Sequence, residues 1–148
     1  TRVAETGPPV RGKPGCLEGF ASGAGIAGLV KLRLPDFNGA TCLAPDATAA
    51  DVARGAAAGD ELSRAIMTES GDHLGRGLAI MLDLLNLEAI VIGSIFVRCE
   101  TFLRPAMEAA LQRDAMPATR AACRIVPAAL GENIGDYAGL ALAVSQEY

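Results

Sequence analysis

Three places in this 148-residue chain combine residue types that could meet a polar ligand. The first is the run Asp83-Leu-Leu-Asn-Leu-Glu-Ala-Ile-Val-Ile-Gly-Ser94, whose second half reads as a buried strand over residues 88–92 that stops at Gly93. A glycine at the carboxyl end of a strand lets the backbone approach a ligand closely, and open α/β sheets bind nucleotides and similar molecules at that end. The second is Glu18, just behind Cys16-Leu17 at a helix start. Its carboxylate either favours the amino end of the helix dipole or faces a polar ligand, and the local pattern leaves both readings open. The third is Gly23-Ala-Gly25-Ile-Ala-Gly28, spaced like the dinucleotide-binding G-x-G-x-x-G. That chemistry needs a strand directly before the glycines, so that a pyrophosphate meets the amino end of the next helix. Here residues 16–22 are helix-like, and the match reads as coincidence in a chain with 17 glycines.

Other reactive side chains carry less. His73 is the single histidine, flanked by Asp72 and Leu74, with no nucleophile or metal-ligand motif around it, and it reads as structural or solvated. Cys16, Cys42, Cys99 and Cys123 are widely spaced, with no Cys-x-x-Cys, and read as free thiols of a cytosolic protein.

The elements that must position these residues follow from local signals. Residues 1–15, with three prolines and no apolar period, form an irregular loop. Residues 16–58 are helical, with two short helices broken near Ser22-Gly23 and a loop marked by Pro35, Asn38-Gly39 and Pro45. A further helix is capped by Asp46 or Thr48, holds Asp51 in its first turn and ends near Gly59. Asp60 caps a longer helix whose residues Leu62, Ile66, Leu74, Leu78, Met81 and Leu85 keep a helical period. Gly71, Gly75 and Gly77 inside it point to close helix packing. The next helix opens at Glu100 or Thr101, because Pro105 is tolerated only near a first turn, and runs to about Arg113. A second strand over residues 123–126 ends at Pro127, and a last helix begins after Gly131 or Asn133 and reaches about Gln146. Residues 60–148 thus make an αβαβα unit, the pattern of parallel strands covered by helices. Its thin sheet looks like part of a larger one, with an unpaired edge for another polypeptide segment or a second copy to cover.

The bulk numbers fit one domain with a real core. A net charge of −4 and scattered Lys and Arg argue against a nucleic-acid surface. No apolar run approaches the roughly 18 residues that cross a bilayer, and no signal peptide opens the chain. The chain opens on Thr1 and a Gly/Pro-rich segment, which reads as a processed or truncated polypeptide.

Taken together, Gly15-Cys16-Leu17-Glu18-Gly19-Phe20-Ala21-Ser22-Gly23 resembles the ROK family of bacterial sugar kinases and sugar-responsive repressors, with its C-x-C-G-x-x-G-C-L-E and a following Ser-Gly break. The run from Asp83 to Gly93 is similar to that family's L-L-N-P-E-x-I-V-I-G-G, and Leu130-Gly131-Glu132-Asn-Ile-Gly135 is a looser match to its terminal L-G-x-x-A-G-x-x-G-A. The resemblance implies the carboxyl-terminal part of an actin-like, ribonuclease-H-like ATPase lobe, helix-rich with a small mainly parallel sheet. It implies a cytoplasmic, homo-oligomeric sugar kinase that transfers a phosphoryl group from ATP, with Mg²⁺, to a hexose; the alternative is a non-catalytic sugar sensor or repressor. By position Glu18 would accept hydrogen bonds from sugar hydroxyls. Gly93 and Ser94 would match the glycine pair facing the nucleotide, with serine replacing the second glycine. The catalytic aspartate and half of the phosphate site would lie in the missing amino-terminal part. Pro9 and Arg11 stand where the family's first two zinc cysteines would be, so the loop is a degenerate zinc site, expected to bind no zinc and to be ordered by its prolines.

Overall fold

The computed structural model describes residues 2–145. Helices α1, Leu17–Ala21, and α2, Gly23–Arg33, are separated at Ser22, whose extended backbone breaks the run. The Ser22 hydroxyl then caps α2 by accepting from the Gly25 amide at 3.0 Å. A 3-10 turn, Leu34–Asp36, leads into a loop. Helix α3, Ala49–Ala58, opens on a reciprocal box: Thr48 Oγ1 accepts from the Asp51 amide and Asp51 accepts from the Thr48 amide. Gly59, at φ 93°, closes it in the left-handed conformation.

Helix α4, Glu61–Leu85, is the axis of the molecule. Asp60 caps it and also accepts from Thr41 Oγ1 at 3.0 Å and the Cys42 amide at 2.9 Å, tying the preceding loop to the helix start. Burial pushes the Asp60 carboxyl up, but the hydrogen bonds from Ser63, Cys42 and Thr41 together outweigh it and hold the group down at about 2. The apolar stripe Leu62, Ile66, Leu74, Leu78 and Leu82 is buried. It ends there: Met81 is half-buried and Leu85 is exposed.

Strand β1, Ala89–Ile92, pairs in parallel with β2, Arg124–Pro127, Ile90 lying opposite Ile125. The crossover is α5, Ile95–Asp114, followed by α6, Pro117–Ala122. After β2 a 3-10 turn, Gly131–Asn133, starts α7, Ile134–Ser145. Gln146 lies outside the described residues.

Helices α4 and α5 pack through backbone. A Cβ on Gly71 would collide with the Leu103 carbonyl, and one on Gly75 with the Met107 carbonyl. The glycines permit an approach that any side chain would prevent.

Three expectations are corrected. Strand β1 is not buried: Ile90 and Ile92 pack on the core while Ala89 and Val91 are exposed, because helices of the described chain cover one face only. Helix α5 opens at Ile95, ahead of Glu100 or Thr101. It is interrupted at Cys99 (φ −121°, ψ 16°), so the continuous segment holding Pro105 does begin at Glu100. Helix α6 was not anticipated; Pro117 at its first turn supplies the start signal.

Candidate functional site

The turn from β1 into α5 is the site's most unusual backbone. Ser94 has φ 55° and ψ −126°, a conformation glycine adopts freely and a residue with a Cβ adopts under strain. The chain accepts that strain at the carboxyl end of the strand, where a ligand approaches most closely. The Ser94 side chain is exposed and makes no cap bond to α5.

Ser94 lies on the wall of a cavity of about 250 Å³. Gly23, at the first turn of α2, forms a second wall. Ala49, Ala50, Ala53 and Arg54 of α3 form a third, and Ile95, Arg98 and Cys99 of α5 complete it. Small and apolar groups line most of it, so a flat apolar body can enter. The Arg54 and Arg98 guanidiniums add positive charge and planar faces. Arg54 is paired with Asp51 one turn earlier. Burial pushes the Cys99 thiol up, with the positive charge of Arg98 opposing it, so Cys99 contributes as a small neutral wall group.

Of the residues marked in the sequence, the structure brings Gly23 and Ser94 to one cavity. Gly93 precedes it in the same turn, half-buried. Glu18 is elsewhere on the surface, in the first turn of α1, exposed, with no hydrogen bond or ion pair to the described residues. The other glycines of the G-x-G-x-x-G spacing serve packing: Gly25 lies against the carbonyls of Glu18 and Gly19, and Gly28 against the Pro8 ring. A helix, not a strand, precedes them. Arg54, Arg98 and the α3 alanines went unmarked in the sequence. Arg98 lies in the opening turn of α5, ahead of the expected helix start, so helical spacing could not link it to Ser94; the alanines carry no signal without the tertiary fold.

The loop of residues 2–15 was expected to lack a zinc site. Cys16 is the one thiol near it, Pro9 and Arg11 offer no ligand atoms, and the described residues contain no group of three or more His, Cys, Asp or Glu suited to a metal. That donor set does not fit a structural zinc. Backbone bonds organise the loop: the Gly15 carbonyl accepts from the Val3 and Ala4 amides, and Arg2 donates to the carbonyls of Ala4 and Glu5 at 2.9 and 2.6 Å. Pro8 is buried against Gly28, so one proline shares in this.

The model of the ROK family matches residues 6–146. The DNA-binding transcriptional repressor Mlc of Escherichia coli is 36% identical over 107 residues, covering 72% of this chain and 26% of that protein. The chain therefore spans about a quarter of the length of this curated relative. Among solved structures, a ROK family transcriptional regulator described as a homologue of the E. coli Mlc protein superposes with TM-score 0.70 at 28% identity, over 83% of this chain and 31% of that one. A ROK family glucokinase from Streptomyces griseus, solved with glucose and AMPPNP, superposes with TM-score 0.73 at 21% identity, over 91% and 46%. The second likeness establishes fold: an α/β, helix-rich part of an actin-like ATPase lobe. With the match running nearly end to end, the chain belongs to the ROK family.

Proposed function

We propose that this chain is the carboxyl-terminal region of a ROK sugar kinase, which phosphorylates a hexose from ATP when joined to its amino-terminal part. The observation that carries the reading is Ser94. The chain keeps a glycine-type backbone at a strand end even with serine there, on the wall of a cavity suited to a nucleoside. On this reading the alanines, Ile95 and Cys99 take the base, the guanidiniums of Arg54 and Arg98 stack on or bond to it, and Gly93-Ser94 lets the backbone run beside the ribose. Bound with Mg²⁺, ATP supplies the phosphoryl group, in a transfer that rests on positioning and electrostatics. Glu18 accepts hydrogen bonds from sugar hydroxyls. No residue of this chain is assigned the catalytic base, and no zinc takes part.

The exposed face of the sheet and α7 would receive the amino-terminal part. Val91, Val126, Leu130, Tyr137, Leu140 and Val144 are all exposed apolar side chains on β1, β2, the turn after β2 and α7, the kind of surface that another segment covers. The reading places the protein in the cytoplasm as a homo-oligomer. None of the helices among the described residues is long and apolar enough to cross a membrane.

A second reading, a sugar-responsive regulator without catalysis, is favoured by the 36% identity to a repressor. The nucleotide cavity separates the two. In the full-length protein, Ala53→Leu would fill the cavity, weakening AMPPNP binding by at least about 10-fold with hexose affinity unchanged. A wild-type protein that binds hexose and shows no AMPPNP binding would favour the regulator.

A further inference from the structure

Helix α1 has five residues, too few to hold its own shape, yet it carries Glu18. One face of α4 grips it. The Phe20 ring is 1% exposed and stacks on the His73 imidazole, centroids 3.7 Å apart and planes within 3°. The Phe20 carbonyl accepts from the buried Ser70 hydroxyl at 2.8 Å. Leu17 lies over Gly77, where a Cβ would collide with its side chain. Ser70, His73 and Gly77 are spaced i, i+3, i+7, so they share one stripe of α4. His73 Nδ1 donates to the Glu69 carbonyl at 2.9 Å, which fixes the ring's orientation.

The same ring reaches the loop. A Cβ on Gly7 would collide with Phe20, and one on Gly19 with the Pro8 carbonyl. Loop, α1 and α4 therefore meet at Phe20. Glu18 sits between the two gripped residues, Leu17 and Phe20, with its own side chain turned to solvent.

We propose that Ser70, His73 and Gly77 are positioning residues for Glu18, forming a metal-free clamp that sets the pose of the carboxylate toward a hexose. This rests on the reading of Glu18 as a sugar contact. Core packing alone would make loss of the stack lower stability and leave the affinities of the folded protein unchanged; a positioning clamp weakens the hexose selectively.

The test uses the full-length protein with His73→Ala and His73→Phe. Calorimetric titrations with D-glucose, D-mannose and N-acetyl-D-glucosamine measure the hexose site, and AMPPNP measures the nucleotide site. Amide hydrogen exchange over residues 16–21, with and without EDTA, reports the clamp directly. The expected result for His73→Ala is hexose affinity weakened about 3- to 10-fold, AMPPNP affinity unchanged, and faster exchange at α1. His73→Phe, which keeps a ring to stack, restores both, and EDTA changes nothing in the wild type. Equal hexose affinity in wild type and His73→Ala overturns the proposal, and so does an equal loss for AMPPNP. If the wild type binds none of the three hexoses, the sugar reading falls and positioning falls with it. Exchange then still reports the clamp: faster exchange in His73→Ala upholds it as a structural device, and unchanged exchange removes it.

Discussion

At the scale of single residues, Ser94 holds most of the information. A residue with a Cβ in this backbone region carries strain of about 1–3 kcal/mol, sustained because the surrounding structure fixes the turn. Ser94→Gly should therefore raise the stability of the full-length protein by about 1 kcal/mol, read as a higher denaturant midpoint at unchanged slope. It should also leave nucleotide binding intact or tighter, since the glycine removes bulk from the cavity wall. A stability loss would mean that the serine side chain holds the turn. The position was legible in the sequence as a departure from the Gly-Gly pattern. Its backbone conformation was not, because φ/ψ at one residue is set by the strand before it and the helix after it. Glu18 was legible as a carboxylate at a helix start. Nothing local revealed that Phe20, two residues on, stacks on a histidine 53 positions away along the chain.

At the scale of elements, the close crossing of α4 and α5 is the main structural joint. Gly75→Ala would drive a methyl group into the Met107 carbonyl and the Ala110 side chain. Backbone cannot yield as a flexible side chain can, so a loss of about 1–3 kcal/mol is expected despite alanine's better helix propensity. A thermal or chemical melt measures it, and a stabilised variant would mean that the helices stand further apart. The start of α4 carries a pH signature. Asp60 is held near 2, below an unfolded value of about 3.9. Its folded pKa is depressed, so its contribution to stability is fully present above about pH 4 and is lost as pH falls toward about 2. Asp60→Asn should flatten that part of the acid melting curve while keeping the cap, since asparagine also caps.

The helices with strong end signals were readable in advance: Thr48 with Asp51, Gly59, and Asp60 mark their boundaries by local chemistry alone. Helix α5 was harder because its break at Cys99 leaves no residue-type signal. Its opening turn, Ile95 to Arg98, has no side-chain cap. The one-sided burial of β1 is not legible locally, because a run of Ala-Ile-Val-Ile looks alike whether one face or both are covered.

At the scale of the whole molecule, the proposed account makes the described chain half of a ligand site and one face of a larger sheet. The two-stranded parallel sheet exposes Val91 and Val126, and α7 adds Tyr137, Leu140 and Val144. That surface and the nucleoside-sized cavity belong together in the proposed account: the first receives the rest of the protein, the second holds one substrate for it. The likeness to both a glucokinase and repressors means that fold cannot choose between phosphoryl transfer and sensing. Turnover can. The direct measurement is ADP release by the full-length protein with MgATP and each of D-glucose, D-mannose and N-acetyl-D-glucosamine in a coupled assay. The account predicts hexose-dependent ADP release with at least one of them. No release with any of the three, alongside a hexose-dependent rise in melting temperature, would contradict it and identify a sensor.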